Sequence, residues 1–362
     1  MAFWDMANPT SSPLSLSWRG TLSLYLTDHS VLTTSTLNNT FMHTLKCALS
    51  LVVVFSSLCG RTGLMEAVVI GIAGPFFYQM NAQIVSEYAM DFGGTITVFC
   101  FGGVLGLTAS AIFNHCQDQS ATVEHPLRQA NSLIFALRGF GALLCWVLIP
   151  FLSFAFPDQL HHSWRAVLSS LVGVSSCVVS VVAVDCLMLG ELDYRALVLS
   201  PLAGGVSLAS SAPFMYNAAG AVIMGGLMGI VLQVVLKLPP SFQKALFTDN
   251  RSGWVYGGMG VVGGFLSAII LELAQDKPEY QLSWYGTGFS ATANELYSLA
   301  KPSGQALGTI ISVGLAGAVG TGLGFLLWWL GAEVRQDHYH DQTYWLTKTD
   351  FISSVGDVNQ PD

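Results

Sequence analysis

The chain of 362 residues is 52% hydrophobic and 10% charged, with a mean hydropathy of +0.55. Soluble domains carry about 25% charged residues, so this composition excludes an ordinary soluble globular protein and fits a polytopic membrane protein. The net charge of −8 is scattered and forms no basic patch, which leaves nucleic-acid binding without support.

Residues 1–40 are rich in Ser and Thr, with Pro9 and Pro13, and hold no apolar stretch of the kind a secretory signal needs. They read as an N-terminal extension. From residue 41 the apolar runs follow closely. Nine reach towards the ~20 residues that cross a bilayer: 41–60, 63–80, 92–114, 132–157, 166–189, 196–212, 215–237, 254–274 and 304–331. The run 196–212 is the shortest and is Gly/Ser-rich. The expected fold is all-α: an extension (1–40), a transmembrane domain (41–331) and a polar C-terminal tail (332–362). The lipid bilayer is the first partner this implies. The long loop 275–303 is polar and aromatic and is expected to cap the bundle.

The stretch Asp91–Leu107 organises the bundle. It opens on an acid and two glycines, Gly93 and Gly94, then runs into an apolar helix carrying Phe99 and a notch at Gly102, Gly103 and Gly106. The spacing of Gly102 and Gly106 leaves one helix face without side chains, so a neighbouring backbone can approach closely in lipid. Asp91 is placed to cap the helix that follows.

The loop cations give an orientation. Arg61, Arg128, Arg195, Lys237, Lys244, Arg251, Arg335 and Lys348 fall on one side, and Arg19, Arg165, Lys277 and Lys301 on the other. Positive charge collects on the cytosolic side of a membrane, which puts the C-terminus on the cytosolic or matrix-type side.

The seven cysteines lie mostly within apolar runs and show no metal-ligand spacing, so no metal or other cofactor is expected. No phosphate loop, nucleophile elbow or zinc-protease motif is present, and no enzyme is expected. Ionisable residues inside spans are functional candidates by default. Arg138 and Asp185 are the ones that could pair between neighbouring spans.

Several stretches in order resemble the ammonium transporter/Rhesus glycoprotein (Amt/Rh) family. Asp91, Gly93 and Gly94, followed by Phe101-Gly102-Gly103 and Gly106-Leu107, resemble that family's fifth helix. Cys47 to Gly60 and Phe76-Phe77-Tyr78 with Asn81 resemble its third and fourth. Gly190-Glu191-Leu192-Asp193, with Leu202-Ala203-Gly204-Gly205-Val206, resembles an Rh pattern, as do Gly304-Gln305-Ala306 and Tyr344-Trp345. The resemblance covers roughly 41–347. It implies an eleven-helix core around a pore, assembly as a homotrimer, and a chain that lacks the first two core helices. A neighbouring membrane subunit, lipid or residues 1–40 would then fill their place.

It also implies what stands at each pore position. The family's two pore histidines align with Phe99 and Tyr256. Its outer phenylalanine gate aligns with Leu152 and Lys46, and its vestibule aspartate with Asp91. None of the eight histidines of this chain lies mid-span to replace the pair. Phe99 has no hydrogen-bonding group, and Tyr256 offers one neutral hydroxyl, so two aromatics filling a closed lumen is the plainer reading. Lys46 either repels cations at the gate or snorkels to the interface. The expectation is a degenerate pore and a non-conducting structural or assembly subunit of a membrane complex. The alternative is a channel for ammonia or another small neutral molecule through a remodelled pore.

Overall fold

The computed structural model describes residues 34–58, 64–116, 132–152, 160–188, 190–215, 218–237, 251–275 and 301–330. The N-terminal extension to residue 33, the expected cap over 276–300 and the tail 331–362 lie outside the described residues. The chain divides into two units, Met1–His43 and Thr44–Asp362.

Among the described residues there are nine α-helices and no strand. They are α1 (Thr34–Leu58), α2 (Leu64–Ser86), α3 (Phe101–Cys116), α4 (Ser132–Leu152), α5 (Leu160–Met188), α6 (Tyr194–Leu208), α7 (Ala218–Leu236), α8 (Arg251–Gln275) and α9 (Pro302–Trp329). Every apolar run expected from the sequence holds one of them. Seven are long and apolar enough to cross a membrane: 41–58, 65–86, 95–113, 166–188, 218–236, 253–273 and 302–329. Residues 136–152 form a shorter apolar helix. One face of it (Leu137, Phe140, Leu144, Val147, Phe151) is exposed, as a lipid-facing helix requires.

The run 196–212 departs from a simple span. It becomes α6, with 15 residues, about 22 Å at 1.5 Å per residue against the ~30 Å of a hydrocarbon core. Every residue from Ser200 to Leu208 is buried, and a short 3-10 turn, Ala212–Phe214, follows. Irregular backbone at membrane depth is tolerated where protein covers it.

The run beginning at residue 92 also departs from a straight α-helix. Thr95–Cys100 is a π-helical turn in which every residue is buried, and the Phe99 amide bonds back to the Gly94 carbonyl at 3.0 Å. Gly94 has φ +81°, a left-handed conformation that favours glycine. A Cβ on Gly93 would overlap Ala209. The two glycines read as a helix start thus serve a sharp turn and a close contact, and regular helix begins at Phe101.

Small residues set the helix crossings. Gly102 and Gly106 face α1, where a Cβ would sit 2.9 Å from the Ser50 carbonyl and 3.0 Å from that of Val54. Gly103 meets Gly257 of α8, Gly260 meets Cys100, and Gly320 and Gly324 of α9 meet the carbonyls of Leu105 and Ala109. α3 therefore packs on α1, α8 and α9 by faces that carry almost no side chain. The span 95–113 is 83% buried, against 22% for 65–86, so it is the interior helix. A second close pair is α5 with α7, where Gly225 lies on Gly173 and Gly229 on Cys177.

Candidate functional site: the aromatic stack and the π turn

The π turn fixes where Phe99 points. It is 1% exposed, and its ring lies parallel to that of Tyr256, with an interplanar angle of 3° and centroids 6.2 Å apart. Tyr256 is held there because Gly257 and Gly260 let α8 lie directly on the backbone of Gly103 and Cys100. The structure brings these two predicted positions together as an offset stack, an arrangement aromatic rings favour.

Asp91 stands at the head of the turn. Its Oδ2 accepts from the amide of Ile96 (3.0 Å), the amide of Thr97 (2.6 Å) and the hydroxyl of Thr97 (2.7 Å). Its Oδ1 is buried without a hydrogen-bond partner. Lys46 comes from α1 to the same place. Its Nζ donates to the carbonyl of Phe92 at 2.7 Å and, more weakly, to that of Asp91 at 3.5 Å. The ammonium therefore turns inward to main-chain oxygens, and snorkelling is not what it does.

The remaining predicted positions lie elsewhere. Leu152 ends α4, half-buried against the core. Arg138 is exposed on α4. The suggested pair of Arg138 with Asp185 does not form. Asp185, 1% exposed at the end of α5, instead takes Lys237 at 3.6 Å and accepts from the Asp193 amide at 3.2 Å. The close α5–α7 packing explains the exchange of partners, because it carries Lys237 alongside Asp185 about two turns beyond the contact of Gly229 with Cys177.

Sequence reasoning missed the collar of polar side chains around the π turn. Thr95 donates to the Val206 carbonyl and accepts from the Ser210 amide, both at 2.8 Å. Ser312 of α9 donates to the Ile96 carbonyl at 3.1 Å, and Asn81 of α2 to that of Thr97 at 3.4 Å. Gln305, fully buried, donates to the Met90 carbonyl at 2.9 Å and takes a 3.4 Å contact from Ser267. The available signal was a polar residue at a fixed place in an apolar run, but hydroxyls that bond their own helix look the same in sequence. Among the described residues, no three His, Cys, Asp or Glu side chains gather to hold a metal.

Helices of membrane-spanning length, sealed by backbone-to-backbone glycine crossings around a buried broken helix, define an integral multi-pass membrane protein. The Ammonium Transporter Family model matches residues 17–342, and the chain belongs to that family. Its sequence is 27% identical to Ammonium transporter Rh type C of Oncorhynchus mykiss over 312 residues, covering 83% of this chain and 62% of the relative. It is 24% identical to Rhesus-like glycoprotein A of Dictyostelium discoideum over 324 residues, covering 86% and 60%. The chain thus spans less than two thirds of the length of these relatives. The fold is similar to that of Nitrosomonas europaea Rh50 (TM-score 0.63, 17% identity, 88% of this chain and 78% of that one). It is also similar to Saccharomyces cerevisiae Mep2 (TM-score 0.60, 16% identity, 77% and 62%).

Proposed function

We propose that this chain is a non-conducting member of the ammonium transporter family, acting as a structural or assembly subunit of a membrane complex. The observation that supports this most is the stack of Phe99 on Tyr256, at the two positions where the resemblance expects pore histidines. An ammonium ion entering an apolar lumen must shed water and a proton, and stripping a cation of water without a replacement costs many kcal/mol. Two imidazoles can take over those hydrogen bonds and relay the proton. A phenyl ring offers none, and one phenol cannot form a relay alone. Packing, the other task of the bundle, is retained throughout in its glycine crossings and its polar collar. Assembly is as a homotrimer or with other membrane subunits, and the cation bias supports a C-terminus on the cytosolic or matrix-type side.

The test is ammonia-dependent pH change inside liposomes that carry the purified protein. Flux equal to that of empty liposomes is expected. Robust flux, abolished by bulky substitution at Tyr256, would overturn the proposal in favour of a remodelled pore.

A further inference from the structure

We infer that Asp185 and Gln233 hold an internal water molecule between them, where α5 and α7 end side by side. The site is on different helices from the aromatic stack, so it stands whether or not the protein conducts.

The two helices run parallel in a fixed register. Gly225 lies on Gly173, Gly229 on Cys177, and Lys237 on Asp185. Ser176 and Ser180 donate to the carbonyls of Val222 and Gly226 in the same sense, at 2.6 and 2.8 Å. Gln233 falls between Gly229 and Lys237 in that row of α7, one turn from each. The register sets it level with Val181. Asp185 is then one turn further along the facing row of α5.

Both side chains are buried, Gln233 at 2% exposure and Asp185 at 1%. Asp185 Oδ2 accepts from the Asp193 amide at 3.2 Å. Its Oδ1 stands 3.6 Å from Lys237 Nζ but takes no hydrogen bond. Neither Nε2 nor Oε1 of Gln233 has a hydrogen-bond partner among the described residues. Three buried polar atoms on two neighbouring side chains thus keep their whole desolvation cost.

The same atoms select the ligand. A cation is opposed by the Lys237 ammonium and the Gln233 N–H groups, and an anion by the Asp185 carboxylate. A neutral molecule that donates and accepts suits both sides. Val181, Leu232 and Leu236, neighbours of Gln233 on the two helices, are buried, which favours the smallest such molecule. Internal waters commonly satisfy buried groups of this kind with about three hydrogen bonds. Here a water donates to Asp185 Oδ1 and to Gln233 Oε1, or accepts from Nε2 with the amide turned over. Lys237, 35% exposed, marks the way in from solvent.

The test pairs a density map of the full-length protein, at a resolution that shows ordered water, with thermal midpoints of variants. A peak within hydrogen-bond distance of both Asp185 Oδ1 and the Gln233 carboxamide is expected. Ordered side chains that bond each other directly, or that have no peak between them, overturn the inference. Gln233→Met keeps the length of the side chain and removes its hydrogen bonds. It should lower the midpoint by a few degrees, since the water loses an anchor and Asp185 a donor. In a dry site the same change only removes an unpaired amide, so an unchanged or raised midpoint overturns the inference too. The loss should shrink when Asp185 is already Asn, because a hydrogen bond to a charged group is the stronger. A loss of equal size in Asp185→Asn would mean that Gln233→Met acts through packing alone, against the inference. If the variants do not fold, the wild-type map decides.

Discussion

Gly103 of α3 and Gly257 of α8 stand backbone to backbone, so close that a Cβ on Gly103 would lie 2.5 Å from the Gly257 Cα. The nearest neighbour is main chain, which cannot rotate aside as a flexible side chain can. The aromatic stack lies beside this crossing and depends on it for its spacing.

Gly103→Ala should therefore separate α3 from α8 and lower stability by about 1–3 kcal/mol, the usual cost of overpacking. Gly317→Ala on α9, where a Cβ would meet nothing within 4 Å, should stay within about 1 kcal/mol of wild type. Thermal unfolding of the two variants in the same detergent checks the contrast. Equal losses would mean that the crossing tolerates a methyl group.

Removing the stack tests what it closes. Phe99→Ala deletes a ring that is 1% exposed and should cost about 3–5 kcal/mol. Combined with Tyr256→Ala, it should let ammonia cross in liposomes that show none with wild type. Should the folded double variant stay tight, the lumen is sealed by something other than these rings.

Thr95 both donates to Val206 and accepts from Ser210. Thr95→Val keeps the shape and loses both bonds, leaving a buried amide and carbonyl unpaired at about 1–3 kcal/mol. Thr95→Ser keeps the hydroxyl and should lose much less. Comparing their unfolding midpoints separates hydrogen bonding from packing.

Asp185 and Lys237 form an uneven pair, with side chains 1% and 35% exposed. Lys237→Met strands a buried carboxylate and should destabilise by about 1–3 kcal/mol. That is below the ~3–5 kcal/mol of a fully buried pair, because water reaches the lysine. Asp185→Asn still accepts from the Asp193 amide and should be the milder change. The double variant Asp185→Asn/Lys237→Met should recover part of the Lys237→Met loss, which a double-mutant cycle measures. Strict additivity would count against the pairing.

The helices were legible because lipid demands long apolar runs, and nine such runs each hold a helix. The Gly102/Gly106 notch was legible for the same kind of reason, since a bare face has few uses besides close packing. The π turn at Thr95–Cys100 was not, because its apolar composition suits a regular helix equally well. What breaks the regularity is the φ of +81° at Gly94 and the Asp91 carboxylate reaching the amides of Ile96 and Thr97. Both are local, but an apolar pattern does not tell a capped π turn from a capped α-helix. Lys237 as the partner of Asp185 was hidden too. Pairing across α5 and α7 depends on their register, and Arg138 was the nearer candidate only in sequence.

The segment Met90–Thr97 takes main-chain hydrogen bonds from Lys46 on α1, Asn81 on α2, and Gln305 and Ser312 on α9, while Thr95 reaches α6. A turn supported from so many directions cannot adopt its final shape until those helices have docked. It is therefore a late step of assembly, closing after the helices have inserted and found one another. Once closed, it opens only when the surrounding helices separate, so the amides from Ile96 to Cys100 should exchange as slowly as any in the bundle.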